Sequence, residues 1–547
     1  PGGERRRARL KLARFLTANG FGPEALGILE VIARNKPAVA GQPRFKALRG
    51  AARYLSGRFD GAIADLGDPQ LADSDVVGFW LAAARAKRGD PGNPVEGFRD
   101  TGAFLQGYPR ALKLDLAFTA AETAIRAGAG GVADGYMEVL QNADLKGAEL
   151  SRMVYLQGLL QELSGDFENA INKWDTVIDN ARSREYRAKA VRDRAEMLYN
   201  LDRISRKQLI KELASLRYAW RGGPFEFRLL KRLGELYLEA EAYRKALRTL
   251  KTVTIHFRDR ADVDRITGMM EEAFRTLYLD GAADRLSPLR AIALFNEFRE
   301  LTPPGKKGDK MIQNLAGRLV GVDLLDQAAQ LLNHQVRFRL KGENKARVGA
   351  RLAFIHLLDQ EPAQALEALD NSTVVVTTPK SLQARRRHLR ARALGALGRI
   401  DEARSVLEGD TSRDAWLVRA EINWNNKAWT HAAEAYAHLV PPPDAIPEAN
   451  GDTGGLTERQ GRYIVNWATA LAMAGKTEGL NMLYDAYNTP MQETPYAGVF
   501  DLLTAPAEGG TVNFRKVADT IQSAERFQAF MQKYRERLKE EGLGFIQ

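Results

Sequence analysis

Histidine is the side chain of this chain best suited to metal or acid–base chemistry, but its spacing predicts neither. The pattern His-Glu-x-x-His, which places two zinc ligands one helical turn apart, does not occur. His431 and His438 are seven residues apart on one predicted helix, too far to share an ion without other ligands. We therefore interpret all six histidines as ordinary core or surface residues: His256, His334, His356, His388, His431 and His438.

Two glycine-containing stretches have the letters of a phosphate-binding loop without its structural context. Residues 128–133 (Gly-Ala-Gly-Gly-Val-Ala) follow a predicted helix, whereas a dinucleotide site requires a strand before the glycines. Residues 470–477 end in Gly-Lys-Thr but lack the first glycine of a phosphate loop and a preceding strand. Gly-x-Ser-x-Gly and cysteine are both absent from the sequence. We predict a non-enzymatic protein with no catalytic, cofactor-binding or metal-binding residue and no cofactor.

The composition is that of a folded protein with a basic surface. The 547 residues include 80 Lys and Arg and 69 Asp and Glu, a net charge of +11. No apolar run approaches the roughly 18 residues of a membrane span. The chain begins at Pro1, so we expect a trimmed or mature form whose targeting information lies outside it. The densest basic clusters are interpreted as solvated faces, with an acidic partner, an anionic membrane or nucleic acid as alternatives.

A repeated skeleton determines which elements position these side chains. A small residue is followed twelve positions later by an alanine, with turn residues between them. The small residues and alanines are expected where two helices cross closely, and the glycines between them where a left-handed residue ends the first helix. Aromatic residues are expected to begin the second helix as apolar pegs. The positions are Gly50, Gly57, Phe59 and Ala62; Gly158, Gly165, Phe167 and Ala170; Gly234, Tyr237, Tyr243 and Ala246; and Ala391, Gly398 and Ala403.

Helical periodicity, interrupted by Gly, Pro and Asp, extends over nearly the whole chain and predicts an all-α fold. It divides into about thirteen helix-turn-helix hairpins of roughly 40 residues. Each hairpin leaves an apolar side that the next one must cover, so the hairpins should stack into a solenoid. The β-branched run 374–378 is predicted to be an extended connection between repeats.

The predicted domain organisation follows from the breaks in this periodicity. Residues 1–440 form the solenoid, 441–458 a flexible loop insertion and 459–503 the last hairpin or hairpins. Residues 504–513 form a linker, and 514–547 an amphipathic helix. We predict that this helix caps the last repeat; the alternative is docking or homo-oligomerisation through it.

The repeated positions resemble the tetratricopeptide repeat, a helix-turn-helix unit with small and aromatic residues at this spacing. The best matches are Gly158, Gly165, Phe167 and Ala170, and Leu233, Gly234, Tyr237, Tyr243 and Ala246. The units here are longer than the family's usual period and generally lack its first tryptophan. The resemblance implies a right-handed superhelix that binds proteins in a concave groove lined mainly by first helices. Arg385, Arg386 and Arg390 lie on a predicted first helix and are the candidate partner-binding residues.

These observations favour a protein–protein interaction scaffold in a bacterial multiprotein assembly. The cysteine-free, Ala-, Arg- and Gly-rich composition favours the cell envelope or periplasm over the cytoplasm, with a flagellar-motor scaffold as one example by analogy. One alternative is a basic surface for nucleic acid or an anionic membrane, of which nucleic acid is the less favoured. The other is the helical accessory portion of a larger enzyme, such as a cell-wall lytic enzyme.

Overall fold

A computed structural model describes residues 2–89, 94–99, 102–180, 182–219, 222–260, 262–446 and 455–504. These residues form 27 α-helices joined by turns and short 3-10 helices, and no strand occurs among them. The all-α prediction is confirmed. No helix in the described ranges is both long enough and apolar enough to cross a bilayer.

The chain divides into two compact units, residues 1–273 and 274–547, with the boundary inside a helix. The first unit contains α1 (Gly2–Ala18), α2 (Gly22–Asn35), α3 (Pro37–Ala40), α4 (Pro43–Leu55), α5 (Phe59–Leu66), α6 (Asp75–Arg88), α7 (Arg110–Arg126), α8 (Gly130–Gln141), α9 (Ala148–Leu163), α10 (Phe167–Asn180), α11 (Arg184–Asn200), α12 (Arg206–Ser215), α13 (Gly223–Glu239), α14 (Tyr243–His256) and most of α15 (Val263–Tyr278).

The second unit contains α16 (Pro288–Glu297), α17 (Lys306–Gly321), α18 (Leu325–Phe338), α19 (Gly342–Leu358), α20 (Pro362–Asn371), α21 (Lys380–Ala396), α22 (Ile400–Leu407), α23 (Arg413–Asn425), α24 (Trp429–Ala437), α25 (Glu458–Met473), α26 (Thr477–Met491) and α27 (Ala497–Thr504). Most consecutive helices pair within each unit, and with the 3-10 helices that follow α6 the described elements make up thirteen hairpins. The fold is a tetratricopeptide-like helical repeat, as expected. Its handedness stays a prediction.

Eleven of the hairpins share one turn. A residue with positive φ stands two positions after the end of the first helix, at Gly20, Gly57, Gly128, Gly165, Asp202, Glu241, Asp323, Gln360, Gly398, Lys427 and Gly475. The next amide donates back to the carbonyl five residues before it, as in Arg58 N to Arg53 O at 2.9 Å. This bond satisfies a carbonyl that the helix end would otherwise leave unpaired. One local geometry therefore joins the two helices of most hairpins.

The small residues of the repeated skeleton lie where the two helices of a hairpin touch. A Cβ added at Gly158 would lie 2.4 Å from Trp174 Nε1, and one at Gly234 would lie 2.2 Å from Leu250 Cδ2. The same substitution at Gly50 would meet Leu66 Cγ at 2.5 Å. The alanines of the skeleton are fully buried: Ala62, Ala170, Ala246, Ala391 and Ala403. Close helix crossing thus depends on these side chains being small.

The aromatic residues at the starts of second helices are less uniform than expected. Phe59 packs on the core with its ring centroid 5.8 Å from that of Tyr54. Phe167 is 40% exposed, so it is not an apolar peg, while Tyr237 in a first helix is buried. Tyr243, which begins α14, is half-buried. Both helices of a hairpin contribute buried side chains, as Trp174 on α10 and Leu250 on α14 show for the second helices.

The structure departs from the sequence-based description at one hairpin. The hairpin that begins with α6 has no second α-helix; 3-10 helices at Pro94–Phe98 and Gly102–Gly107 take its place. The run 374–378 has no strand, as predicted. Residues 505–547, which hold the predicted C-terminal helix and all of the predicted linker after Thr504, lie outside the described residues, as do residues 447–454 of the 441–458 insertion.

Candidate functional site

Charged and tyrosine side chains form a stripe along one face of three successive first helices of the first unit, α7, α9 and α11. On α7 the stripe contains Asp115, Glu122 and Arg126, at intervals of seven and four residues. On α9 and α11 the corresponding residues are Arg152 and Tyr155, then Lys189 and Asp193. Residues three, four or seven apart lie on the same face of a helix, so each helix presents its charges in one direction. We call this set, together with Lys87, Arg192 and Arg228, the charged cluster.

Ion pairs within the charged cluster connect helices that are not neighbours. Lys189 Nζ on α11 lies 3.0 Å from Glu122 Oε1 on α7, although α9 lies between these helices in the chain. Arg126 Nη2 on α7 lies 3.1 Å from Asp193 Oδ2 on α11. Because packed helix axes are 8–10 Å apart, contacts that skip a helix require the three faces to converge. The face they form is therefore concave.

Residues of α9 complete this polar network. Tyr155 donates its hydroxyl to Asp193 Oδ2 at 2.6 Å and accepts a bond from Arg126. Arg152 Nη1 lies 3.1 Å from Asp115 Oδ1, and Lys87 from α6 approaches the same oxygen at 3.1 Å. Carboxylates with two or more cationic partners are held by strong, charge-assisted hydrogen bonds.

The first unit closes on itself around the charged cluster. The end of α6 meets α13, more than 130 residues further along the chain. Arg260, after α14, donates to the carbonyls of Arg88 at 3.0 Å and Gly89 at 2.5 Å. Its guanidinium carbon also lies 4.1 Å from the ring centroid of Phe227. The first helices α6, α7, α9, α11 and α13 therefore form a ring whose inner face carries the charged cluster.

Burial and charge oppose each other at the carboxylates of this ring. Burial disfavours the ionised form of Glu122, but Lys189, Arg126 and Arg152 outweigh it and hold the pKa of the carboxyl well below its ordinary value. At Asp193, burial is likewise outweighed by Arg192 and Arg126, which lower the pKa to about 2. The side chains of Glu122 and Asp193 are only 14% and 11% exposed. Both are ionised at neutral pH.

Two inner-face groups have no hydrogen bond or ion pair with any described residue. The side chain of Arg228 on α13 is exposed. Partial desolvation of its guanidinium by the surrounding protein, followed by the positive charges of Arg192 and Arg126, lowers the pKa of Arg228 to about 10. Glu162 on α9 is exposed, and its surroundings and Asp193 raise the pKa of its carboxyl. The ring therefore presents an unpaired positive group and an unpaired negative group.

The candidate arginines from the sequence lie in the second unit, on α21. Arg386 donates to Ala346 O at 2.7 Å and to Leu369 O at 2.6 Å, near the end of α20, while Arg390 pairs with Asp370. Burial and the nearby Arg347 lower the pKa of Arg385. Arg386 and Arg390 line a cavity of about 240 Å³ beside the 374–378 connection. Arg386 and Arg390 thus make internal contacts that any partner would have to share or replace.

One acidic group in the second unit has the composition of a metal site. Oxygens of Asp326, Asp359 and Glu361 lie within 4.8 Å of one another where α18 begins and where α19 gives way to α20. Burial, followed by Asp326 and Glu361, raises the pKa of Asp359. His356 Nδ1 lies 2.9 Å from Glu361 Oε2. Acidic groups of this kind are common at helix junctions, and we assign no role to this one.

The sequence contains a signal for the charged cluster that is separate from the repeated small and aromatic positions. Charged residues recur on three successive first helices at intervals of three, four and seven. In a single sequence such a stripe also fits a solvated face. Only the closure of the ring turns it inward, and that depends on contacts 171 and 172 residues apart.

Comparison with known proteins bears on the fold alone. No family model and no curated protein sequence matches the chain. Among solved structures, a Rap protein complexed with competence and sporulation factor is 12% identical over 67% of this chain and 99% of its own, with a TM-score of 0.37. The P58(IPK) TPR domain is 13% identical over 74% of this chain and 98% of its own, with a TM-score of 0.24. Human IFIT1 with PPP-AAAA is 13% identical over 64% of this chain and 78% of its own, with a TM-score of 0.30. At TM-scores below 0.5 these similarities carry no conclusion about the ligand or the function of this chain.

Proposed function

We propose that this chain is a non-enzymatic protein-interaction scaffold and that the inner face of the ring in the first unit is its main binding surface. The observation that carries the proposal is the pair of unsatisfied groups, Arg228 and Glu162, on a concave face where the other charges are matched. Exposed, unpaired charges on a curved face leave specific contacts for a ligand to make.

The mixture of signs on this face favours a polypeptide partner over nucleic acid. Asp115, Glu122 and Asp193 would repel a phosphate backbone that followed the face, whereas a polypeptide can offer both charges. Nucleic-acid binders instead present a continuous basic track. The net charge of +11 therefore does not by itself indicate nucleic-acid binding.

The setting that we propose is a bacterial multiprotein assembly of the cell envelope, as the composition suggested. A flagellar-motor scaffold remains one example of such a setting. Fractionation of native cells tests this part independently: recovery of the protein with the periplasm or envelope supports it, and recovery in the cytosol contradicts it.

Site-specific photo-crosslinking tests the binding surface. A photoreactive amino acid replaces Glu162 on the inner face, and in a matched variant it replaces Lys207, an exposed residue of the second helix α12. We expect a protein adduct from native extract at position 162 that is absent at position 207. The purified partner should then compete with adduct formation in a saturable way. Equal labelling at both positions, or adducts removed by nuclease, would contradict the proposal.

A further inference from the structure

Two arginines one turn apart on α13 differ in how they are paired. Arg232 Nε lies 3.0 Å from Glu196 Oε1, and its Nη2 lies 3.2 Å from Glu196 Oε2, so its charge is neutralised by α11. Arg228 has no hydrogen bond or ion pair with any residue in the described ranges. The two side chains share a helix and a residue type, and they differ in having a carboxylate partner.

The two carboxylates whose charge acts on Arg228, Glu122 and Asp193, already have other partners. Asp193 accepts from Arg192 Nε at 2.6 Å and from Tyr155 and Arg126. Glu122 accepts from Lys189 at 3.0 Å. Since these acids are shared among several donors, they do not neutralise Arg228. Its guanidinium keeps its donors free while Arg192 and Arg126 add positive charge around it.

We propose that Arg228 binds one carboxylate of a polypeptide ligand inside the ring. This inference rests on the proposed scaffold function and names the chemistry of one contact. A guanidinium offers two parallel N–H groups that match the two oxygens of a carboxylate. A single acidic side chain brings one negative charge to Arg228, whereas a polyanion would bring several into a region that already holds the ionised Glu122 and Asp193.

The arginine side-chain resonances of the full chain provide a direct readout. Arginine-labelled protein is titrated with the blocked pentapeptide acetyl-Gly-Ser-Glu-Ser-Gly-amide, and separately with the same peptide carrying Gln. We expect the Glu peptide to shift the Arg228 Nε–H signal, identified by its absence in R228Q. The Gln peptide should bind about 10- to 100-fold more weakly, because the charge-assisted pair is lost.

Matched variants separate the site from general charge effects. R228Q should bind the Glu peptide about 10- to 100-fold more weakly than the wild type does. R232Q removes a neutralised arginine from the same helix, and its affinity for the Glu peptide should stay within about twofold of the wild-type value. In the absence of peptide, R228Q should melt at a higher temperature than the wild type, since repulsion from Arg192 and Arg126 disappears. R232Q should melt lower because Glu196 loses its partner.

Several outcomes would overturn the inference. Equal binding of the Glu and Gln peptides, or equal affinity of R228Q and wild type, would show that Arg228 is not a carboxylate site. Tighter binding of a trinucleotide RNA than of the Glu peptide, lost in R228Q, would assign the site to phosphate instead. A lower melting temperature for R228Q would show that Arg228 has a structural partner.

The same variants distinguish this inference from the scaffold proposal. If the crosslink from position 162 to a protein partner persists unchanged in R228Q, the scaffold proposal survives and the role of Arg228 is refuted. If position 162 yields no partner adduct while the Glu peptide still binds at Arg228, the carboxylate site survives and the scaffold proposal is refuted.

Discussion

At the scale of single residues, the fold depends on positions where a side chain is missing or a backbone angle is unusual. Gly158 and Gly234 allow close helix contact, and Gly165 allows a left-handed turn. Close helix contact and the left-handed turn could both be predicted from the sequence, because glycine is the residue that each of them favours. The same turn at Gln360 and Lys427 was not readable, since an ordinary side chain occupies the left-handed position there.

Replacing Gly158 with Ala should destabilise the first unit. The new Cβ would lie 2.4 Å from Trp174 Nε1, so the helices must separate or the indole must move, at a cost of about 1–3 kcal/mol. Gly27→Ala is the matched control, because that exposed helical glycine has open space around it and alanine should stabilise it by about 0.5–1 kcal/mol. Urea unfolding measures both changes. Equal effects of the two substitutions would show that α9 and α10 do not cross closely at Gly158.

Substitutions at two equivalent positions of the shared turn should change the stability of the protein in opposite directions. Gly165→Ala should destabilise by about 1 kcal/mol, since nothing blocks the methyl group and only the positive φ of 82° is at stake. Gln360→Gly should instead be neutral or stabilising, because it relieves a φ of 62°. Thermal unfolding of both variants, with helical Gly131→Ala as control, checks this expectation. A destabilising Gln360→Gly would mean that the Gln side chain contributes more than the backbone conformation costs.

At the scale of elements, the first helices of the first unit are held together by charge as well as by apolar burial. Glu122 and Asp193 join α7 and α11 across α9, and Arg260 joins the end of α6 to the region of α13. Hairpin boundaries could be predicted because helical periodicity is local. The pairing of α7 with α11, and of α6 with α13, could not, since it follows from how successive hairpins curve.

The charged cluster should make stability fall at low pH. The folded-state pKa values of Glu122 and Asp193 lie below their unfolded values of about 4, so their contribution is complete above about pH 5 and is lost as the pH falls towards about 2. At pH 7, Glu122→Gln should destabilise the protein by about 1.5–3 kcal/mol, because the buried Lys189 loses one of its two carboxylate partners and keeps only Glu185.

The control for this pH dependence is Glu168→Gln, which removes an exposed pair with Arg203 and should change the unfolding free energy little, because solvent screens that pair. Unfolding free energies measured between pH 7 and pH 3 should show wild type and Glu122→Gln converging as the pH falls. Curves that stay parallel would contradict ionisation of Glu122 in the folded protein.

Removing the Arg260 side chain should weaken the closure of the ring. Arg260→Met loses two charge-assisted hydrogen bonds to the carbonyls of Arg88 and Gly89. We expect the free energy of unfolding to fall by about 1.5–3 kcal/mol. Hydrogen exchange should then increase at the end of α6 and the start of α13 more than elsewhere. Arg258→Met, at an exposed position nearby, is the control and should change neither. Unchanged protection in Arg260→Met would show that the ring closes without this residue.

At the scale of the whole molecule, stacked hairpins bring together charges that are distant in the sequence. Each unit repeats a helix-turn-helix hairpin. In the first unit these hairpins close into a ring whose inner face carries the charged cluster. The all-α repeat and its thirteen hairpins were predictable, because helical periodicity is local and glycine, proline or polar residues interrupt it between most helices. The candidate site was not, since its residues become neighbours only when the ring has formed; the sequence directed attention to Arg385, Arg386 and Arg390 instead.

A double-mutant cycle on Glu122 and Lys189 tests the central claim, that inner faces two hairpins apart converge, most directly. The cycle compares the unfolding free energies of wild type, Glu122→Gln, Lys189→Met and the double variant. We expect a coupling energy of about 1–3 kcal/mol, because Nζ and Oε1 lie 3.0 Å apart in a poorly solvated interior. Effects that add to within about 0.5 kcal/mol would place the two side chains out of contact and contradict the closed, charged inner face.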